Sequence, residues 1–403
     1  MLTQLRALRA HKDFLPLATA RFISNIGNGL SPIALAYGVL SLPGANGKDL
    51  SFVMTARFVP LVALMLFGGV VGDRFKRNRI VGGADMIGSC FAAISAISFL
   101  QGFASVGLLA LMGALFGVLN ALWWPAMAGV LPEILPKEKL QEGNAVIGLV
   151  TNIGFVIGAL IGGTLVATHS PGWALLVDAI TFFIAGVIVW NLNLALIIKE
   201  KKNSVFQDLK IGWIEFTSRS WVVAMVITFS VINLAFEALL QVLGPLNFHS
   251  AATGPRYWSF NLAALTVGMM VGGIVSLRMK FARPLFFAMV VIAMSSVWEF
   301  SLALKAPLII TMLAALFSGF TIEIFMVTWN TALQRHVPQE SYSRVVAYDA
   351  LGSYGIAPIG IAFAGPLAAI FGVSTILYAT GLLTLIAALL SLFVKAVRDL
   401  RNA

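Results

Sequence analysis

Apolar residues dominate runs of roughly twenty positions from one end of the chain to the other, and short polar breaks part them. A helix rises about 1.5 Å per residue, so a run of this length crosses the hydrocarbon core of a bilayer. Twelve such runs can be marked, over residues 14–41, 50–72, 80–102, 105–131, 143–167, 173–196, 220–246, 257–277, 284–304, 306–333, 344–370 and 373–394. Glycine and proline occur inside them, as membrane helices tolerate. The pattern predicts an all-α membrane protein of twelve transmembrane helices, numbered here as spans 1–12. It favours one membrane-embedded unit over two soluble domains.

Composition agrees, with 59% of the 403 residues hydrophobic and 11% charged, and a mean hydropathy of +0.92. A net charge of +10 would suggest nucleic acid in a soluble protein, but its placement gives it another meaning here. With a cytoplasmic N-terminus, Lys and Arg number 22 on that side against Lys48, Arg256 and Lys305 on the other, while Arg21 and Arg57 fall inside spans. The positive-inside rule then predicts a multi-pass cell-membrane protein with both termini cytoplasmic. The charge is expected to set the topology, with attraction to anionic membrane lipid besides, and not to bind nucleic acid. The only cysteine, Cys90, lies in an apolar run, which excludes disulfides and cysteine-rich metal sites. Arg6, Arg9 and Lys12 precede an apolar run too long for a signal peptide, so a retained first helix is expected.

The densest charge is in GDRFKRNR, residues 72–79, between spans 2 and 3. Gly72 allows close helix approach, and the Asp73 carboxylate can serve a neighbouring helix N-terminus. The pattern recurs: GGVVGDRFKRNR at 68–79 aligns without gaps to GGIVSLRMKFAR at 272–283. Pro136-Lys137-Glu138 is likewise echoed by Pro338-Gln339-Glu340. Two parallel halves of six spans mark a duplicated transporter. The expected division is a six-helix bundle over 1–196, a cytoplasmic linker over 197–219 and a second bundle over 220–403.

GDRFKRNR resembles the loop signature of the major facilitator superfamily. TARFVPLVALMLFGGVVGDR, GWALLVDAITFF, TALQRHVP and RVVAYDALGSYGIAPIGIAFAGPLA extend the likeness across nearly the whole chain, toward the drug:proton antiporter branch that includes macrolide efflux proteins. GFVIGALIGG at 154–163 is similar to the span-5 antiporter motif, with Ala159 where a proline is usual. Span 4 lacks the arginine of another common motif. The resemblance implies two pseudo-symmetric six-helix bundles. It also implies a gating latch of Gly72, Asp73, Arg74 and Arg77, in which Asp73 meets the N-terminus of span 11 and the arginines pair with acids or lipid phosphates. The second copy has Leu277 in place of the acid, so only the first half keeps a full latch.

Span 1 carries Arg21, Ser24, Asn25, Asn28 and Ser31 as one polar stripe. Such a stripe faces a cavity or bonds to other helices, since lipid would penalise it; Arg21 is also shallow enough to snorkel to the surface. Span 7 repeats the spacing with Ser230, Asn233, Glu237 and Gln241. Span 4 brings Asn120, Trp123 and Trp124, and span 10 brings Glu323, Trp329 and Asn330. In the resembled fold spans 1, 4, 7 and 10 line the central cavity, so Asn25, Asn28, Asn120, Trp124, Asn233, Gln241, Trp329 and Asn330 are the substrate-cavity candidates. The tryptophans suit an interfacial belt as well. Asp85, Asp178, Glu299 and Asp349 lie within roughly two turns of a helix end, where solvation or pairing costs little. Glu237 and Glu323 are deepest, about 16 residues from one end of their spans at 1.5 Å each. They are the proton-coupling candidates. Arg57 can partner a nearby acid.

No HExxH, DxxxD or P-loop occurs, and the four histidines lie at or near loops, so neither an enzyme nor an ATP-driven pump is expected, and no cofactor or metal. The expected function is secondary export of a lipophilic small molecule of drug or macrolide type in exchange for protons, by a monomer. Export of a siderophore or a lipid, and a non-transporting receptor on the same fold, stand as alternatives.

Overall fold

The computed structural model describes residues 8, 11–72, 75–194, 205–279 and 281–400. All regular structure among them is helical, because backbone groups inside a hydrocarbon layer have no water to pair with. Spans 1–6 are Phe14–Leu40, Gly47–Gly72, Arg77–Leu100, Val106–Ile134, Leu140–Thr168 and Pro171–Trp190. Spans 7–10 are Ser220–Phe248, Gly254–Ser276, Pro284–Ala303 and Leu308–His336. Span 11 is two stacked helices, Gln339–Tyr354 and Ala357–Phe371, and span 12 is Val373–Ser391. Among the described residues ten helices meet the length and hydropathy of a membrane crossing. Span 1 has 27 residues but a polar stripe that dilutes its hydropathy, and span 2 has 26 residues. Large apolar side chains such as Ile227, Ile309, Leu313 and Phe363 stand exposed, as a lipid-facing surface requires.

The chain divides into two units, one of residues 1–199 and 248–263, the other of 200–247 and 264–403. In the first, span 2 packs along span 4, span 3 along span 6, and span 1 against spans 5 and 6. In the second, span 9 packs along span 12 and span 7 against spans 11 and 12. Gly268 and Gly319 seat span 8 on span 10. The pairing is the same in both units once six is added to each span number.

Two glycine pairs carry this symmetry. A Cβ on Gly117 would strike the Arg57 carbonyl oxygen, and one on Gly319 the Leu265 carbonyl oxygen. Gly158 is closed in the same way by Ile26, and Gly360 by Leu234. Each pair is 202 positions apart (117 to 319, 158 to 360), the same offset as the Pro136 and Pro338 echo. Small residues let helix backbones meet in lipid, where no hydrophobic drive joins helices.

Three spans are broken where the sequence pattern ran straight through. Span 7 makes a π-turn at Leu239–Leu243, because Pro245 has no N–H to donate and its ring crowds the preceding turn. Span 9 tightens into a 3₁₀ turn at Met294–Ser296, where the Ser295 and Ser296 hydroxyls donate to the Ile292 and Ala293 carbonyls at 2.7 and 2.8 Å. Span 11 breaks after Tyr354, just before Pro358. The linker contains a further helix, Val205–Thr217, whose Trp213 and Phe216 rings lie 5.6 and 5.9 Å from the Tyr348 ring of span 11. A hydrogen bond from Arg219 at 2.8 Å holds the Glu215 carboxyl below the usual glutamate range.

Candidate functional site

Each unit contains more than one cavity, and the span 1 and span 7 stripes each reach one of them, partly open to the surroundings. The cavity of the first unit, about 320 Å³, is lined from spans 1, 2, 3, 4, 5 and 6. Asn25, Asn28, Asn120 and Trp124 all line it, with Arg21, Arg57 and Asp85 beside them. The asparagines are fixed by their own helices. Asn25 Nδ2 donates to the Arg21 carbonyl at 2.7 Å, Asn28 Nδ2 to Asn25 Oδ1 at 3.4 Å, and Asn120 Nδ2 to the Phe116 carbonyl at 3.0 Å.

Arg21 does not snorkel. Its guanidinium lies over the Trp123 ring at 4.8 Å and faces Asp85 of span 3, because a cation in this cavity gains more from an aromatic face and a carboxylate than from a stretched side chain. Arg57 lies over Phe116 at 4.8 Å and faces Asp178 of span 6. The one acid among the described residues lining the first cavity, Asp85, thus has a cation facing it, while Asp178 lines a neighbouring cavity with Arg57.

The cavity that span 7 reaches in the second unit, about 230 Å³, is built from spans 7, 9, 10, 11 and 12. Asn233, Trp329 and Asn330 line it. Asn233 Nδ2 donates to the Ser353 carbonyl at 3.0 Å, tying span 7 to span 11. Trp329 Nε1 donates to Asp349 Oδ2 at 3.0 Å, and Ser353 Oγ to Asp349 Oδ1 at 3.2 Å. Trp124 is exposed while Trp329 is buried, and each lines the cavity of its own unit described above.

Three of the predicted residues lie elsewhere. Glu237 is buried and accepts from Gln241 Nε2 at 3.1 Å, with Gln241 inside the π-turn. Glu323 lies against Gly272 and Gly273 of span 8. None of the three is among the residues lining the two cavities. The acids that do line them are Asp85, Glu299 and Asp349. Distance along a helix ranked these three as shallow; the face on which they stand puts them at the cavities.

Of the loop motif, Asp73 and Arg74 lie outside the described residues, and Gly72 closes span 2. Arg77 Nη1 donates to the Gly129 carbonyl at 3.0 Å and lies 2.9 Å from Glu133 Oε1, both on span 4. Asn78 Nδ2 donates to the Trp190 and Leu192 carbonyls at 3.0 and 2.8 Å, and Arg79 lies over the Trp190 ring at 4.3 Å. The described end of the loop thus binds the end of span 3 to spans 4 and 6.

Residues 17–360 match the description of the Major Facilitator Superfamily, and the chain belongs to that family of membrane transporters. It is 25% identical over 393 residues to the multidrug efflux pump Tap of Mycobacterium tuberculosis (strain ATCC 25618 / H37Rv), covering 94% of this chain and 93% of that one. It is 30% identical over 183 residues to the enterobactin exporter EntS of Escherichia coli O1:K1 / APEC, covering 43% of this chain and 41% of that one. The solved nucleoside transporter NupG shares the fold with a TM-score of 0.74 at 13% identity, over 95% of this chain and 98% of that one. The twelve-helix fold read from the sequence is that of this family.

Proposed function

We propose that the protein is a secondary active exporter of lipophilic small molecules, of drug or macrolide type, working by alternating access in the cell membrane with protons as the counter-flux. The observation that carries this is the full-length similarity to a protein named as a multidrug efflux pump. A polar and aromatic cavity within each unit gives such solutes a place to bind. The bundles 1–196 and 220–403, joined by the linker 197–219, would be the moving bodies of a monomer with both termini cytoplasmic. Gly72, Asp73, Arg74 and Arg77 would form the gating latch. Asn25, Asn28, Asn120, Trp124, Asn233, Gln241, Trp329 and Asn330 would serve substrate, and Glu237 or Glu323 would carry the proton.

The test is flux of a lipophilic panel that includes a macrolide, in proteoliposomes with an imposed pH gradient. Protein-dependent uphill flux of at least one compound supports the reading. Absence of flux for every compound overturns it and leaves export of another cargo or a receptor on the same fold. A siderophore is the second reading, favoured by the similarity to the enterobactin exporter over residues amounting to 43% of the chain. Restored secretion of a catecholate siderophore in an exporter-deleted strain would select it.

A further inference from the structure

The two cavities differ in charge. In the first, Arg21 and Arg57 stand beside Asp85. In the second, Glu299 and Asp349 both face the cavity, and no Lys, Arg or His is among the described residues that line it. Among the described residues, Asp349 receives hydrogen bonds from neutral donors, the Trp329 indole and the Ser353 hydroxyl. Glu299 is 2% exposed, and its Oε2 has no hydrogen-bond partner among the described residues. Across the same cavity the Thr384 hydroxyl is 1% exposed and also unpartnered. A buried acceptor left unmet costs free energy, so polar atoms of this kind in a cavity point to a missing donor or cation.

The rest of the wall is aromatic. Phe229 and Phe325 stack at 4.0 Å, and Phe325 continues to Trp329 at 6.4 Å. Ring faces attract ammonium and quaternary ammonium groups, more so where water is excluded. An anion would meet two carboxyl groups and no cation. The geometry points to a binding site for a small aryl-bearing organic monocation, its charged nitrogen at Glu299 and Thr384 and its ring along Phe229 and Phe325. This rests on the exporter reading for its physiological meaning, since it names the charge class of the cargo, and it sets a cation apart from an anionic catecholate.

The experiment is equilibrium binding by titration calorimetry on the full chain in nanodiscs of neutral phosphatidylcholine. The probes are phenyltrimethylammonium and benzenesulfonate, similar in size and opposite in charge. Saturable binding of the cation is expected, with the anion at least about tenfold weaker and the cation weakened about tenfold or more in Glu299→Gln, because a charge-assisted contact is lost. Thr384→Val should weaken the cation less. Should Glu299→Gln fail to fold, the two-probe comparison on the unaltered chain decides alone. Equal binding of both probes, no saturable binding of the cation, or wild-type affinity in a folded Glu299→Gln protein would overturn the proposal. Uphill flux of neutral drugs without cation binding would sink this site and leave the exporter. Cation binding without any flux would do the reverse.

Discussion

Arg77 and Glu133 form an ion pair at 2.9 Å across 56 positions of sequence, and the same Arg77 nitrogen donates to the Gly129 carbonyl at 3.0 Å. The Glu133 side chain is only 8% exposed, and its other oxygen, Oε2, has no partner among the described residues. Removing the cation leaves a nearly buried carboxylate without its main contact. Arg77→Ala should therefore destabilise the protein by about 1–3 kcal/mol. Arg77→Lys, which keeps the charge but loses the planar fork, should fall between. Adding Glu133→Gln to Arg77→Ala should recover part of the loss. Thermal unfolding of the purified protein checks the order, and a double-mutant cycle with no coupling would reduce the pair to a passive surface contact.

The neighbouring acid tests gating more directly. Asp73→Asn keeps the shape of the side chain and discards its charge, so under the proposed latch its attraction to a helix N-terminus would fall by about 0.3–2 kcal/mol. Transport should drop while the protein reaches the membrane in normal amounts. Unaltered transport would leave the loop as a topology signal only.

The glycine contacts give a packing prediction with an internal control. Gly117→Ala, Gly158→Ala, Gly319→Ala and Gly360→Ala each drive a methyl group into the carbonyl of a facing helix, at a cost of about 1–3 kcal/mol or more. Gly148 sits in span 5 with nothing within 4 Å of its Cβ position. Gly148→Ala should be neutral or stabilising by up to about 1 kcal/mol through helix propensity. Melting temperatures of the five variants are compared, and a loss at Gly148 equal to the others would remove close approach as the explanation.

The spans were legible because length and apolarity are one-dimensional properties, and a bilayer imposes both. The repeat was legible through the loop echo, and Gly117 with Gly319 shows the same duplication in atomic contacts. What could not be read is the direction in which a polar residue faces. Glu323 is deep along its axis but rests on span 8, whereas Glu299 and Asp349 are near helix ends and face a cavity. The facing of Arg21 to Asp85 joins spans 1 and 3, and no local pattern announces a pair so far apart in sequence. The break in span 7 had a visible cause in Pro245, yet its form as a π-turn depends on how the freed carbonyls re-pair.

The 22-to-3 bias of Lys and Arg predicts that both termini are cytoplasmic. In a background in which Cys90, an exposed thiol, is replaced by alanine, Lys48→Cys and Arg256→Cys should react with a membrane-impermeant maleimide in intact cells. Lys202→Cys should react only after permeabilisation. Labelling of the Lys202→Cys protein in intact cells would invert the orientation.

Energy coupling gives the last prediction. Export against a gradient needs a downhill partner flux, and the chain has no P-loop to supply energy from nucleotide. A proton carrier must be a group that binds a proton in one state and releases it in another. Glu237 is buried, and its Oε2 accepts from Gln241, the third residue of the π-turn in span 7. A turn of that kind is a place where a helix can change register at modest cost, and such turns gather at functional sites. Movement of Gln241 would remove a hydrogen bond that favours the charged carboxylate, and in the proposed mechanism this would couple the proton to the shape of the helix. Glu237→Gln imitates the protonated acid permanently, and its amide can still bond to Gln241. Uphill efflux driven by an imposed pH gradient should therefore vanish in proteoliposomes, while downhill substrate exchange stays largely intact. Glu323→Gln should leave uphill efflux largely in place if Glu237 acts alone, and should abolish it if the two acids share the proton. Wild-type uphill pumping by the Glu237→Gln protein would make Glu237 a structural residue and move the coupling site elsewhere.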